Sequence, residues 1–313
     1  MQHPNDRLLR ELLDEGCSHV RASRVADYGV GPDNFTVVAY DSRAFEFLTE
    51  RLFPASAASG FVVYLCVGTV PEWALEHSGP SHLERLHTAE EGLIGQYDGD
   101  HKHWSIWDPV TRRGLFWVES MDLLPEWHRA APLRSILQWA LTDTPYTLAH
   151  AGGVGGTLLV GKGGSGKSTT VFACARAGMP TCGDDLVVVG NGNAYPLYDA
   201  AKLRFGSLEV AGGVDFGDKR LYRLSDLGTV AAMPIHSIAV PMVGSESTST
   251  LSPCRASEAL RALAPSTVFL LRGRERACVE KLAVLVRSVP TYRLHLGADH
   301  GVSVLKELAC RYP

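Results

Sequence analysis

The chain has no CxxC pair, no apolar run near the ~20 residues that cross a bilayer, and no surplus of positive charge, and each absence closes a class of function. Its seven cysteines are odd in number and scattered from Cys17 to Cys310, so reduced thiols in a cytoplasm are expected rather than a disulfide or zinc framework. The strongest apolar run, Phe61 to Val67, has the length of a strand. The N-terminal stretch MQHPNDRLLRELLDEG mixes charges and lacks an apolar signal region, so neither export nor a membrane partner is expected. With 30 Lys+Arg against 34 Asp+Glu there is no basic stripe to neutralise a phosphate backbone, which argues against nucleic acid as a partner. Repeats and low-complexity tracts are missing too, and the polar run Gly244 to Thr250 is the nearest thing to a linker.

What remains is an ordinary globular composition in 313 residues, enough for two domains. Leu8, Leu9, Leu12 and Leu13 recur at helical spacing, whereas Phe35 to Tyr40 and Phe61 to Val67 read as strands. Trp104 to Trp107 and Gly114 to Val118 read as two strands about an Asp108-Pro109 turn, with their tryptophans in a core rather than in a peptide groove. A helix is expected from Leu133 to Leu141, after Pro132. These features predict an N-terminal α+β domain over 1–130, serving acceptor recognition or oligomerisation, and a second domain over 131–313. Asp98, Asp100, His101 and His103 are metal-ligand types, but so short a polar run reads as a solvated loop.

Glycine is plentiful, and 12 of the 31 fall between Gly152 and Gly192, so their position carries the information. Within that stretch Gly161-Lys-Gly-Gly-Ser-Gly166-Lys167-Ser168 satisfies GxxxxGK[ST], after the apolar strand Thr157 to Val160 and before a helix over Thr169 to Arg176. Gly161, Gly163, Gly164, Ser165, Gly166 and Thr169 offer a backbone that can turn its N–H groups onto phosphate oxygens, at the positive end of a helix. Lys167 reaches the β and γ phosphates, and the Ser168 hydroxyl can hold Mg²⁺. Upstream, His150-Ala-Gly-Gly-Val-Gly-Gly156 is either a hairpin arm or a second lip of the pocket; a hairpin would return His150 to the loop as proton carrier or phosphate ligand.

Gly183-Asp184-Asp185 precedes a β-hairpin formed by Leu186 to Val189 and Ala194 to Tyr198. Asp184 follows Lys167 by only 17 positions, an order that argues against a GTPase, an ABC-type ATPase or a helicase. Adjacent carboxylates suit a division of labour: Asp185 with Ser168 for the metal, and Asp184 assisted by His150 for the proton of an attacking hydroxyl, with the two roles open to exchange. Among Lys202, Arg204, Lys219 and Arg220, the pair Lys219-Arg220 is expected to neutralise a transferring phosphoryl group. Asp215-Phe-Gly217 matches a protein-kinase tripeptide without its companion motifs and is set aside. Cys174 and Cys182 are expected to be buried structural thiols.

Over about 148–200, His150, the loop GKGGSGKST, the helix ending Ala177-Gly178 and Gly183-Asp184-Asp185 resemble the catalytic domain of HPr kinase/phosphorylase, whose fold is related to phosphoenolpyruvate carboxykinase. Weaker similarity, in Ala259 to Leu263 and Val289 to Gly297, extends over 125–313. The resemblance implies an α/β P-loop kinase domain, a mixed sheet with helices, that uses ATP and Mg²⁺ and in which the His and one Asp handle the proton during transfer to a serine. Thr169 stands where those kinases carry Glu, and their later signature is absent, so the chain is more similar to the related kinases that modify the C-terminal serine of lasso-peptide precursors. The implied activity is an ATP-dependent serine kinase acting on a peptide or small protein, and the implied assembly a homo-oligomer. Two other readings stand beside it: a nucleotide-responsive regulatory protein that transfers nothing, and a carboxykinase-like phosphotransferase acting on a small metabolite.

Overall fold

Alternation of buried and exposed side chains builds the N-terminal half around one sheet, and a second, separately packed half begins at Leu141. The computed structural model describes residues 4–312 except 22, 57–59, 77–84, 89–91, 209–211 and 271. It is a mixed α/β protein of two compact units, Met1–Ala140 and Leu141–Pro313.

The first unit holds strands β1 (Arg24–Val30), β2 (Asp33–Ala39), β3 (Phe61–Val67), β4 (Arg85–Thr88), β5 (Ile94–Asp98), β6 (His103–Asp108) and β7 (Arg113–Val118) in one sheet, order β1-β2-β3-β7-β6-β5-β4. Strands β2, β3 and β7 run parallel, and hairpins complete both sides. Helix α1 (Pro4–His19) lays Leu8, Leu9, Leu12 and Leu13 on Trp104, Ile106, Leu115 and Trp117, so the leucine stripe and the tryptophan strands share one core, as their spacing predicts. Helices α2 (Ser42–Thr49), α3 (Glu72–Glu76), α4 (Trp127–Ala130) and α5 (Arg134–Ala140) complete the unit. Ile136 of α5 presses on Gly114 of β7, where an added Cβ would stand 2.7 Å from Ile136 Cγ2. The unit therefore ends after Ala140, not at 130, because α5 packs on this sheet.

The Asp98–His103 segment is solvated in its middle, at Asp100 and Lys102, as expected, but not at its ends. Asp98 and His103 are buried, and the Asp98 carboxylate accepts bonds from the amides of Asp100 and His101 and contacts His101 Nδ1 at 2.8 Å. It is a tight turn closed by its own aspartate. Among the described residues no group of three or more His, Cys, Asp or Glu side chains is arranged to hold a metal, and no helix is long and apolar enough to cross a membrane.

The second unit is built on strands β8 (Thr147–Ala149), β9 (Ala151–Val154), β10 (Thr157–Val160), β11 (Val187–Gly190), β12 (Asn193–Pro196), β13 (Ala201–Arg204), β14 (Val214–Phe216), β15 (Lys219–Tyr222), β16 (Met233–Pro234), β17 (Ser237–Val243), β18 (Thr250–Pro253) and β19 (Thr291–Leu296). Its helices are α6 (Lys167–Arg176), α7 (Ala256–Leu270), α8 (Glu275–Ser288) and α9 (Val302–Ala309). The main sheet has the order β18-β19-β17-β10-β9, with β10, β17 and β19 parallel and antiparallel strands at both edges. Leu158 and Val160 of β10 turn to one face, against Ala259, Leu263, Leu282 and Leu285 of α7 and α8. Leu159 turns to the other, with Val171 and Phe172 of α6 and Leu305 and Leu308 of α9. Helices cover both faces, the arrangement that parallel strands require.

A second sheet, β16-β12-β11-β8, contains the β11–β12 hairpin read from the sequence, and β13-β15-β14 form a third. His150 is the one residue between β8 and β9, where the chain leaves the second sheet for the first.

Candidate active site

Strand β10 ends where the glycine loop begins, and the loop delivers the chain into α6. Gly166, the residue before the helix, has φ +99°, and a Cβ there would collide with Leu296. It provides no side-chain cap, so the first amides of α6 remain available at the positive end of the helix. Gly163 and Gly164 lie exposed on the loop, Ser168 and Thr169 are half-buried on the first turn of α6, and the Ser165 hydroxyl is buried without a partner among the described residues. Lys167 is buried; its Nζ donates to Gly161 O at 2.6 Å and Lys162 O at 3.2 Å. Burial pushes its pKa down and Lys219 adds to that, against the pull of Asp184 and Asp185.

The glycine-rich approach is a hairpin arm. Strand β9 pairs antiparallel with β10, Ala151 facing Val160, and this register returns His150 to the start of the glycine loop. The same glycines let a third segment close in. Residues 181–183 run along β9, with Cys182 N donating to Gly153 O at 2.9 Å and Gly153 N to Gly183 O at 3.1 Å. A Cβ on Gly152 would stand 2.5 Å from Val171 Cγ2 and 3.4 Å from Asp184 Oδ1. Glycine at this position is what allows β9, α6 and the Asp184 turn to meet.

The two aspartates have opposite surroundings. Asp184 is 1% exposed, and neither carboxylate oxygen has a regular hydrogen-bond partner among the described residues, although the Ser168 hydroxyl faces it. Burial and then the Asp185 charge raise its pKa, against Ser168, Lys167 and Lys202. Asp185 takes φ +68°, which points its carboxylate elsewhere. Its side chain remains 25% exposed, with Oδ1 3.2 Å from His150 Nε2 and Oδ2 2.5 Å from Lys202 Nζ. Burial opposes its ionisation, but Lys202 and then His150 outweigh that and hold the carboxyl well below the ordinary range. His150 is anchored through its amide, which donates to Thr267 Oγ1 at 2.9 Å, and its Nδ1 is buried without a partner among the described residues.

The basic residues sort by strand pleat. In the β13–β15 pairing Lys202 opposes Leu221, Leu203 opposes Arg220 and Arg204 opposes Lys219. Lys202 and Lys219 therefore share one face and Arg220 lies on the other, so the strand divides the expected Lys219-Arg220 pair between its two faces. Arg220 bonds Asp215 Oδ1 at 3.2 Å and lies over the Phe205 ring. Arg204 is exposed near Asp218. Lys202, passed over in favour of that pair, is the cation in direct contact with Asp185. Asp215-Phe-Gly217 lies in the β14–β15 hairpin. Cys174 and Cys182 are buried, and burial pushes each thiol up to about 12, which makes them poor nucleophiles.

For a metal, the orphaned oxygens of Asp184 beside the Ser168 hydroxyl fit a hard cation. Asp185 fits that role less well, because His150 and Lys202 already occupy both its oxygens. One carboxylate and one hydroxyl do not make a cage, and a Mg²⁺ ion held there would complete its shell with water and substrate phosphate. Comparison of the chain with models of known protein families finds no match, and comparison with curated proteins finds none either.

Proposed function

We propose that this chain is an ATP- and Mg²⁺-dependent kinase of the HPr kinase-like P-loop type, which transfers the γ-phosphoryl group to a serine hydroxyl of a peptide or small protein. The observation that carries the reading is the convergence, at the end of β10, of a complete phosphate loop, an unpartnered buried carboxylate at Asp184 and a His150–Asp185 pair. A nucleotide-binding regulator needs the loop but has no use for a proton-accepting pair beside it.

In this reading the amides of Gly163 to Thr169 and Lys167 bind the phosphates, and Lys167 exchanges its two loop carbonyls for phosphate oxygens. Ser168 and Asp184 would hold Mg²⁺, which supplies charge neutralisation on the phosphate oxygens. Asp185 is the partly exposed aspartate, so it is the one an incoming hydroxyl can reach. As the serine oxygen bonds to the γ-phosphorus and the bond to the bridging oxygen of ADP breaks, the hydroxyl proton passes late in the transfer to Asp185, whose lowered pKa suits it to orienting the hydroxyl rather than to removing the proton beforehand, with His150 holding that carboxylate in place. The roles first given to the two aspartates are thus exchanged.

Transfer of label from γ-labelled ATP to serine-ending peptides tests the reading. Lys167→Ala and Asp185→Asn should each lower transfer by about 100-fold or more, and Asp185→Asn should still bind nucleotide. Undiminished transfer in either variant would sink the assignment.

A further inference from the structure

We infer that Lys202 is the residue by which this site distinguishes a nucleoside triphosphate from a diphosphate, an assignment that rests on the phosphate-loop reading above. The loop amides meet phosphates that both nucleotides possess, and Lys167 reaches the β and γ phosphates from the loop side. The terminal phosphoryl of a triphosphate must also come within reach of the hydroxyl that Asp185 deprotonates, so it stands beside the Asp185 carboxylate. Two anionic groups side by side repel, and a cation between them relieves that repulsion on the side away from Mg²⁺.

The structure offers few candidates. Lys167 serves the phosphates from the loop side and makes no ion pair with Asp185 among the described residues, Arg220 lies across the pleat on Asp215, and Arg204 points to solvent near Asp218. Lys219 shares the right face but makes no contact with either aspartate among the described residues. Lys202 Nζ sits 2.5 Å from Asp185 Oδ2, with its side chain only 18% exposed, bordered by the Phe216 ring at 6.0 Å. Its backbone is fixed, because the neighbouring Ala201 and Leu203 are buried in the core against Phe172. An ammonium group has three donors. Asp185 takes one, and Nζ has no other polar partner among the described residues, so two donors are left for the oxygens of a terminal phosphate without breaking the existing bond. Lys202 then acts as a bridge, holding the base on one side and the reacting phosphoryl on the other.

Calorimetric titration of the full chain with ADP and with β,γ-imido-ATP, in Mg²⁺, tests the inference. The wild type should prefer the triphosphate. Lys202→Met should weaken the triphosphate by about 10- to 100-fold and ADP by less than about threefold, Lys202→Arg should keep most of the preference, and Arg220→Met should alter neither affinity. Because Lys202→Met leaves Asp185 without its counter-ion and could impair folding, the same substitution is also made together with Asp185→Asn and compared with Asp185→Asn alone, where the selective loss should recur. An equal loss for both nucleotides, or an unchanged preference, would overturn the role of Lys202 while leaving the phosphate-loop reading intact. If the wild type binds neither nucleotide, that reading and this inference fall together.

Discussion

Gly152 is the position at which packing and chemistry are most tightly joined, and Gly152→Ala tests whether the close approach it allows is needed. The added methyl would stand 2.5 Å from Val171 Cγ2, well inside contact distance, but 3.4 Å from Asp184 Oδ1, an ordinary contact. The clash is therefore with α6, not with the carboxylate. Overpacking of this kind costs about 1–3 kcal/mol. Replacing glycine by alanine also stiffens the unfolded chain, which returns about 0.4–1 kcal/mol. The net expectation is a loss of about 1–2 kcal/mol, or roughly 2–8 °C in Tm for a unit of this size. Gly163→Ala is the control, because nothing lies within 4 Å of a Cβ there, and it should melt no lower than the wild type. Val171→Ala removes the offending methyl but also truncates a buried side chain, so it should destabilise both backgrounds and cost less beside Gly152→Ala than in the wild type, with a coupling of about 1 kcal/mol in the double-mutant cycle. Thermal unfolding followed by circular dichroism measures all five chains. A Gly152→Ala variant that melts at or above the wild type, or a coupling of zero, would refute the argument that glycine is required for β9, α6 and the Asp184 turn to meet.

Other outcomes follow from the same contacts. Lys281 Nζ donates to Leu141 O, Thr142 O and Tyr146 O at 2.7–2.9 Å, so Lys281→Met should destabilise the second unit by about 2–4 kcal/mol in urea denaturation, and a loss under 0.5 kcal/mol would contradict this. In the first unit, burial holds the His103 imidazole down at about 4, against the attraction of Asp98, and His128 beside it is lowered as well. The unfolded chain binds these protons more readily, so stability is full above the ordinary histidine value of about 6.5 and is lost as pH falls from there toward 4. All six tryptophans lie in this unit, and the denaturation midpoint of their fluorescence should be lower at pH 5 than at pH 7; equal midpoints would count against the two buried imidazoles. Asp184→Asn should raise the Mg²⁺ concentration needed for phosphoryl transfer by about tenfold or more, while Asp185→Asn lowers transfer at every Mg²⁺ concentration; the reverse pattern would restore the original assignment of the two aspartates.

What could be read from the sequence was local. The strand–glycine loop–helix unit of β10 and α6, the leucine stripe of α1, the tryptophan strands and the β11–β12 hairpin each depend on residues close together in the chain, where spacing determines geometry. The return of His150 to the loop was visible as one of two options, because Gly155-Gly156 permits a tight turn without requiring it. The opposite surroundings of Asp184 and Asp185 were hidden, since they depend on a left-handed φ at Asp185 that separates two adjacent carboxylates, a conformation Asp tolerates but does not favour. The place of Lys202 beside Asp185 depends on the long-range pairing of β13 with β15, whereas the division of Lys219 from Arg220 follows once both lie in one strand, where successive side chains alternate faces. The burial of Asp98 and His103 was missed for a related reason: a polar run looks solvated until the strands on either side of it are known to lie inside a sheet.

The most direct test of the account is a single-turnover assay of phosphoryl transfer from γ-labelled ATP to a peptide ending in serine, run with wild type and with Asp185→Asn at saturating Mg²⁺. The account predicts labelled peptide from the wild type and a loss of about 100-fold or more in the variant, with nucleotide binding retained. Transfer at the wild-type rate in the variant would contradict it, as would a wild type that binds ATP and labels no hydroxyl acceptor.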